Sequence, residues 1–308
     1  MAVTTAVLPR LDLGPYRAGV PGAREEVADQ LRRALEHVGF FCIVNHGIRW
    51  DHVDAIYEQA ARYHALPLQQ KLGQGMSSRL MGYSRLGDEV TDERPSALNA
   101  AFFMARPSSA RNQWPDEGVL PGFRAACTAY YQLLEKLCHD WLLPLYAVAL
   151  ELEPGWFQAS FAPSLATLRL SHYPPVPAAE DQYGIDPHTD AGFMTLLPAN
   201  PVDGLQIRPA GADWFEPPQE PESFVVNSGD MLRRWSNDGF LSTLHRAINH
   251  SATDRYAIPY FYDPRVDTVV ECLPSCCNAD RPARYEPIRY GDYLRAFMNR
   301  SYRATREG

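Results

Sequence analysis

Apolar positions recur at helical spacing through much of the first half of the chain and with a period nearer two after Pro163, and that change of rhythm organises the whole sequence. From Arg24 to Val38 the residues Val27, Leu31, Ala34, Leu35 and Val38 fall on one helical face. Glu25, Glu26 and Asp29 lie towards the start and Arg32 and Arg33 follow, an order that suits the helix dipole. Gly39 ends this helix, and Phe40 to Val44 reads as a buried strand leading into the turn Asn45-His46-Gly47. A second amphipathic helix carries Val53, Ile56, Tyr57, Ala60, Ala61 and His64 on one side. Between Gly122 and Leu150 a third helical set includes Phe123, Cys127, Tyr130, Leu134, Leu137 and Trp141, and Pro144 should kink or divide it. Tyr290 to Arg300 predicts a covering helix at the end.

In Leu165 to Tyr173 the residues Arg169, Ser171 and Tyr173 share one face and Ala166, Leu168 and Leu170 the other, so one side can line a cavity while the other packs. Further strands are expected at Phe193 to Leu197, Leu205 to Arg208, Phe224 to Asn227, within Leu241 to Asn249, and at Tyr256 to Tyr262. Short strands with Gly and Pro punctuation predict an antiparallel unit of sandwich or jelly-roll type. Val7 to Leu13 is a short β-reading lead-in. Gly73 to Pro121 is irregular, with β-reading pieces at Met81 to Tyr83 and Asn99 to Met104, and such segments often shape a pocket or lid.

The 308 residues, 45% of them apolar, can bury a large core, and no internal repeat or low-complexity tract marks a boundary, so residues 1–308 read as a single domain. A net charge of -8 gives no electrostatic footprint for nucleic acid. No apolar run approaches membrane-spanning length and no export signal opens the chain, so a cytoplasmic protein is expected. Six cysteines show no C-x-x-C pair and are read as reduced thiols.

The candidate chemistry lies between Asp186 and Pro264. If His188 and Asp190 occupy one extended strand, both side chains point to the same face, one pleat apart. His245 sits in a β-reading run that could lie opposite them. Two imidazoles and one carboxylate on one side of a metal, with other positions open, is the arrangement expected of a non-haem Fe(II) oxygenase. A dicarboxylate such as 2-oxoglutarate, chelating through its keto acid end, would need a cation for its far carboxylate. Arg255 offers a permanently charged, bidentate partner. His46, His172 and His250 lack comparable strand partners and are read as structural, and Asp186 is expected to be held in a loop by Pro187.

His188-x-Asp190, Gly204-Leu205-Gln206-Ile207, Asn227-x-Gly229-Asp230, Ser236-Asn237, His245-Arg246 and Arg255-x-x-x-Pro259 resemble, in order and spacing, the iron/2-oxoglutarate-dependent dioxygenases of the isopenicillin-N-synthase-like family. Gly39-Phe40-Phe41, Val44-Asn45-His46-Gly47 and Leu168-Arg169-Leu170-x-x-Tyr173-Pro174-Pro175 extend the likeness over nearly the whole chain. The resemblance implies a mainly β fold: a distorted double-stranded β-helix (jelly roll) at residues 165–265, flanked by N-terminal, middle and C-terminal helices, with an N-terminal family region at 8–110. It implies His188, Asp190 and His245 as iron ligands and Arg255, Tyr173 and Ser171 around 2-oxoglutarate. It further implies Fe(II), 2-oxoglutarate and O2 as cofactor and cosubstrates, with succinate and CO2 released while a C–H bond of a small metabolite is hydroxylated, desaturated or cyclised. Where the family usually carries Arg-x-Ser this chain has Arg255-Tyr256-Ala257, and where plant members often have Asn it has Ser171.

Segment position together with analogy to that family makes Arg79, Tyr83, Asn99, Phe102, Phe193, Trp235 and Phe261 the substrate-facing candidates, and Arg79, if it faces the pocket, would favour a substrate bearing a carboxylate. An iron-dependent oxidase that does not use 2-oxoglutarate, and a non-catalytic metabolite-binding protein with a vestigial site, are the alternative readings.

Overall fold

The computed structural model describes residues 8–76, 81–87, 97–175 and 183–301. Its principal strands, in chain order, are β1 (Arg10–Asp12), β2 (Phe40–Val44), β3 (Gly82–Ser84), β4 (Ala100–Met104), β5 (Leu165–Tyr173), β6 (Ile185–His188), β7 (Met194–Pro198), β8 (Leu205–Arg208), β9 (Phe224–Ser228), β10 (Leu244–Ala247), β11 (Arg255–Ala257) and β12 (Tyr260–Asp263). A nine-stranded sheet runs β1-β2-β9-β7-β12-β5-β4-β3, with β11 also paired to β5, and a three-stranded sheet runs β6-β10-β8. This is a jelly roll with its large sheet extended at both ends by strands from the N-terminal part of the chain.

The alternation along β5 decides what each side of the large sheet meets. Leu168 and Leu170 are fully buried and join a core with helices Ala23–His37, Trp50–His64 and Phe123–Leu137. On the opposite, inner side, Tyr173 packs with Ala247, Ala257, Ile185 and Leu197, a cluster drawn from both sheets. Leu205 and Ile207 of β8 meet Phe40 and Val225 of the large sheet in a second inner cluster. The inner space is thus closed by apolar packing in two places and lined elsewhere by polar groups.

Several elements differ from the sequence expectation for identifiable reasons. The expected strand Tyr256 to Tyr262 is broken at Ile258-Pro259, because Pro259 has no N–H to continue the ladder; its carbonyl still accepts the Arg169 amide at 3.0 Å. The long helix after Gly122 divides into Phe123–Leu137, a π-helical turn Cys138–Leu142 and Leu143–Ala149, so the irregularity falls just before Pro144. Asp186 lies within β6, not in a loop, and is buried. Its neighbour Asp190 is not in a strand at all, since β6 ends at His188 and Asp190 opens the turn to β7. His46 does what a structural histidine does, with Nε2 2.9 Å from the Glu222 carbonyl.

Candidate active site

His188 ends β6, His245 sits opposite it in β10, and Asp190 reaches them from the following turn. The potential ligand atoms of the three all lie within 4.8 Å of one another. Asp190 Oδ1 is 3.8 Å from His188 Nε2 and 3.6 Å from His245 Nε2. Each imidazole is oriented from behind: His188 Nδ1 is 2.7 Å from the Asp186 carbonyl and His245 Nδ1 is 3.1 Å from the Thr243 carbonyl. A proton on Nδ1 donates to those carbonyls and leaves the Nε2 lone pairs pointing inward, the tautomer a metal requires. The Phe40 ring packs edge-on against His245, with centroids 5.3 Å apart.

The carboxylate is fixed in the same manner. Thr195 Oγ1 and Asn227 Nδ2 donate to Asp190 Oδ2 at 2.6 and 2.7 Å, which saturates that oxygen and leaves Oδ1 facing the imidazoles. Thr195 and Asn227 are directly opposed on β7 and β9, so one cross-strand pair holds the side chain. Neither was singled out for this role from sequence, although Thr195 is a polar residue on the inward parity of an otherwise apolar strand.

Burial, with His245 adding to it, pushes His188 down to about 4 and keeps it neutral near pH 7. Burial is the largest single influence on Asp190 and would raise it, but the His245 and His188 imidazoles and the Thr195 hydroxyl together hold the carboxyl well below its ordinary value. Burial would likewise lower His245, and Asp190 overrides it in the other direction. Two neutral-capable nitrogen donors and one ionised oxygen suit a divalent ion of borderline hardness.

Arg255 lies on β11 opposite Tyr173, 2% exposed, with its guanidinium carbon 5.0 Å from the Tyr173 ring centroid. Its Nε donates to the Val202 carbonyl at 3.1 Å, but Nη1 is buried without a hydrogen-bond partner. A buried guanidinium nitrogen left so is costly unless a ligand completes it, and a carboxylate is the natural complement. Ser171 is opposite Ala257 in the same register. Its hydroxyl oxygen accepts Arg169 Nε at 2.8 Å, so its own proton is directed elsewhere.

The substrate-facing candidates separate by pleat. Asn99 meets the inner side: its amide nitrogen donates to the Gly184 carbonyl at 2.6 Å and its oxygen accepts Arg169 Nη2 at 2.7 Å. Phe261 is half-buried and opposite Thr167 and Thr195, on the face that carries Arg169 and Ser171. Phe102 instead packs among Tyr63, Trp114 and Phe123, and Tyr83, paired with it across β3 and β4, shares that outer core. Phe193 and Trp235 belong to an aromatic cluster with Phe157. All four rings belong to the large core cluster, whereas Asn99 and Phe261 lie on the inner side. Phe103, one residue along from Phe102, is the inner-face ring, with the Arg169 guanidinium 5.0 Å above it. Arg79 lies outside the described residues.

Residues 165–264 match the 2OG-Fe(II) oxygenase superfamily and residues 8–117 the N-terminal region described as non-haem dioxygenase in morphine synthesis. The chain belongs to the 2OG-Fe(II) oxygenase superfamily. It is 33% identical to the 2-oxoglutarate-Fe(II) type oxidoreductase hxnY of Emericella nidulans, over 96% of this chain and 90% of that protein. Among solved structures, a full-length Neurospora crassa protein in complex with alpha-KG superposes with a TM-score of 0.88 at 25% identity, covering 96% of each chain. JOX2 in complex with 2OG, Fe and JA gives 0.81 at 26% identity, over 98% of this chain and 89% of that one. The protein is accordingly a 2-oxoglutarate- and Fe(II)-dependent dioxygenase of a small molecule. Iron, 2-oxoglutarate and O2 together supply the oxidation of a C–H bond, with succinate and CO2 as coproducts. No described helix is long and apolar enough to cross a membrane.

Proposed function

We propose that His188, Asp190 and His245 hold the Fe(II) and that Arg255 takes the far carboxylate of 2-oxoglutarate. The primary substrate then binds against the inner face beside Asn99, Arg169 and Phe261. The observation that carries this reading is the convergence of one potential ligand atom from each of the three residues within 4.8 Å, with Asp190 Oδ1 3.8 and 3.6 Å from the two Nε2 atoms and each group held from behind by hydrogen bonds of the protein. The unpartnered Nη1 of Arg255 supports use of 2-oxoglutarate over an iron-only oxidase chemistry. Tyr173 forms the floor under that guanidinium, and the Ser171 hydroxyl, facing Ala257 across the strands, supplies the donor that the family places at the alanine position.

The protein's own part in the reaction is orientation and exclusion of water. Thr195 and Asn227 keep one carboxylate oxygen aimed at the metal, the carbonyls of Asp186 and Thr243 hold both imidazoles, and the two inner apolar clusters close the space. Arg169, a buried cation that donates to Asn99 and Ser171, supports a substrate bearing a carboxylate or another acceptor-rich group, the role the sequence had suggested for Arg79. The net charge of -8 supports a small-molecule rather than a nucleic-acid ligand. The free state of the cysteines supports residence in the cytoplasm. Pairing of β2 with β9 joins the N-terminal region to the core and supports a single domain.

The assignment is tested by titrating Co(II), a redox-inert stand-in, into the native protein and into His188→Ala. Loss of binding in the variant is expected, and binding as tight as in the native protein would remove His188 from the ligand set. Succinate released per substrate consumed should approach one-to-one during turnover on small acids.

A further inference from the structure

The turn that delivers Asp190 to the imidazoles, Asp190-Ala191-Gly192-Phe193, is not held by regular secondary structure. Its backbone is gripped on one side by the start of the segment after β9: Gly229 N donates to the Phe193 carbonyl at 3.2 Å, Asp230 N to the Asp190 carbonyl at 2.7 Å and Met231 N to the Gly192 carbonyl at 3.1 Å. The approach is so close that a Cβ on Gly229 would collide with the Gly192 carbonyl oxygen. On the other side stands one acidic side chain, Asp263, at the end of β12. Its Oδ1 accepts the Phe193 amide at 2.7 Å, and its carboxyl fills the space that a Cβ on Gly192 would need. Nothing in the oxidation itself uses Asp263, and its carboxyl makes no ion pair among the described residues.

We propose that Asp263 is a positioning residue for the iron centre, a buried acceptor that fixes the Asp190–Phe193 turn in the shape that brings Asp190 to the metal. The inference rests on the reading that His188, Asp190 and His245 bind iron, and it adds a residue outside that set. Burial pushes the Asp263 carboxyl up to about 7, and an oxygen of either protonation state can accept the Phe193 amide. The Tyr290 hydroxyl, on the first residue of the C-terminal helix Tyr290–Ser301, lies beside the same carboxyl, though short of full hydrogen-bond geometry. Tyr293 of that helix donates to Asp230 Oδ2 at 3.3 Å. The helix therefore bonds to one wall of the turn, through Asp230, and lies against the other, at Asp263.

Co(II) affinity and the visible d–d spectrum of the Co(II) protein, measured together with the melting temperature, decide the point. Asp263→Ala should weaken Co(II) binding by about 10–100-fold, the range for loss of an outer-shell partner, and should change the d–d band. Asp263→Asn keeps an oxygen acceptor and should restore affinity to within a few-fold of native. Gly192→Ala should weaken binding in the native background yet add nothing to Asp263→Ala, because the carboxyl it collides with is gone. Unchanged affinity in Asp263→Ala, or losses that simply add in the double variant, would overturn the proposal. Should Asp263→Ala not fold, Asp263→Asn and Gly192→Ala decide alone, and native affinity in Gly192→Ala is then the overturning result. A His188→Ala control separates the two readings: if it binds Co(II) like the native protein, the ligand assignment has failed; if it loses Co(II) while Asp263→Ala does not, only the positioning role has.

Discussion

Phe102 and Phe103 are consecutive on β4 and chemically identical, yet the first is wedged among Tyr63, Trp114 and Phe123 while the second lies beneath the Arg169 guanidinium. The same division runs across the sheet. On the helix side, Leu168 and Leu170 of β5 enter the large core; on the inner side, Arg169, Ser171 and Tyr173 face the space between the sheets. One pleat converts a packing residue into a site residue, so the two faces should respond to substitution in different observables.

The largest effect is expected at the ligand turn. Asp190→Ala should abolish turnover and leave the apoprotein folded, as judged by circular dichroism, because on the proposed assignment the residue would contribute a ligand and not core volume; measurable native-like turnover would break the distinction between the faces. If Arg255 takes the far carboxylate as proposed, Arg255→Ala would remove one partner of a buried charged contact and should raise the KM for 2-oxoglutarate by a factor equivalent to about 2–5 kcal/mol, tens to thousands of fold. An unchanged KM would mean that a different cation serves the far carboxylate.

On the helix side the readout becomes stability. Phe102→Ala should cost about 3–5 kcal/mol in denaturant unfolding while the folded fraction keeps its kcat. Phe103→Ala should instead alter the KM of the primary substrate, and the reverse pattern would show that the pleat has been misread. A finer test is Ser171→Ala, expected to cost about 1 kcal/mol, roughly a fivefold rise in the 2-oxoglutarate KM, if its hydroxyl stands in for the one absent at Ala257.

The smallest effect at neutral pH comes from a polar group on the apolar face. His64 is buried, with Nε2 3.0 Å from the Leu170 carbonyl, and burial lowers its pKa to about 3. The unfolded chain takes up a proton near pH 6.5 that the folded chain refuses, so stability is complete above that value and is lost as the pH falls towards 3. The slope is at most about 1.4 kcal/mol per pH unit. His64→Gln should flatten the acid limb of the stability profile without changing stability at about pH 8.

Much of this architecture was legible before any fold was known. Helical spacing marked the helices at Ala23–His37 and Trp50–His64, alternation marked β5 and its two faces, and the ordered run of motifs from His188 to Pro259 marked the family. Less visible was anything set by a partner distant in the chain. Thr195 and Asn227 show no local sign of sharing one carboxylate oxygen, and segment position does not tell which side of the sheet Tyr83 and Phe102 meet.

By itself the sequence determined the rhythm of elements and the identity of the chemical groups, since period and residue type are local properties of the chain. Tertiary structure alone decided that Asp190 would lie in a turn, that Asp263 would accept the Phe193 amide of that turn from the far end of β12, and which neighbouring phenylalanine would lie under Arg169. Those outcomes depend on strand register and on contacts between residues far apart in the chain, such as the 70-residue span between Phe193 and Asp263 or the packing of β4 and β5 against the helices that cover them. Neither is encoded in any window of neighbouring residues.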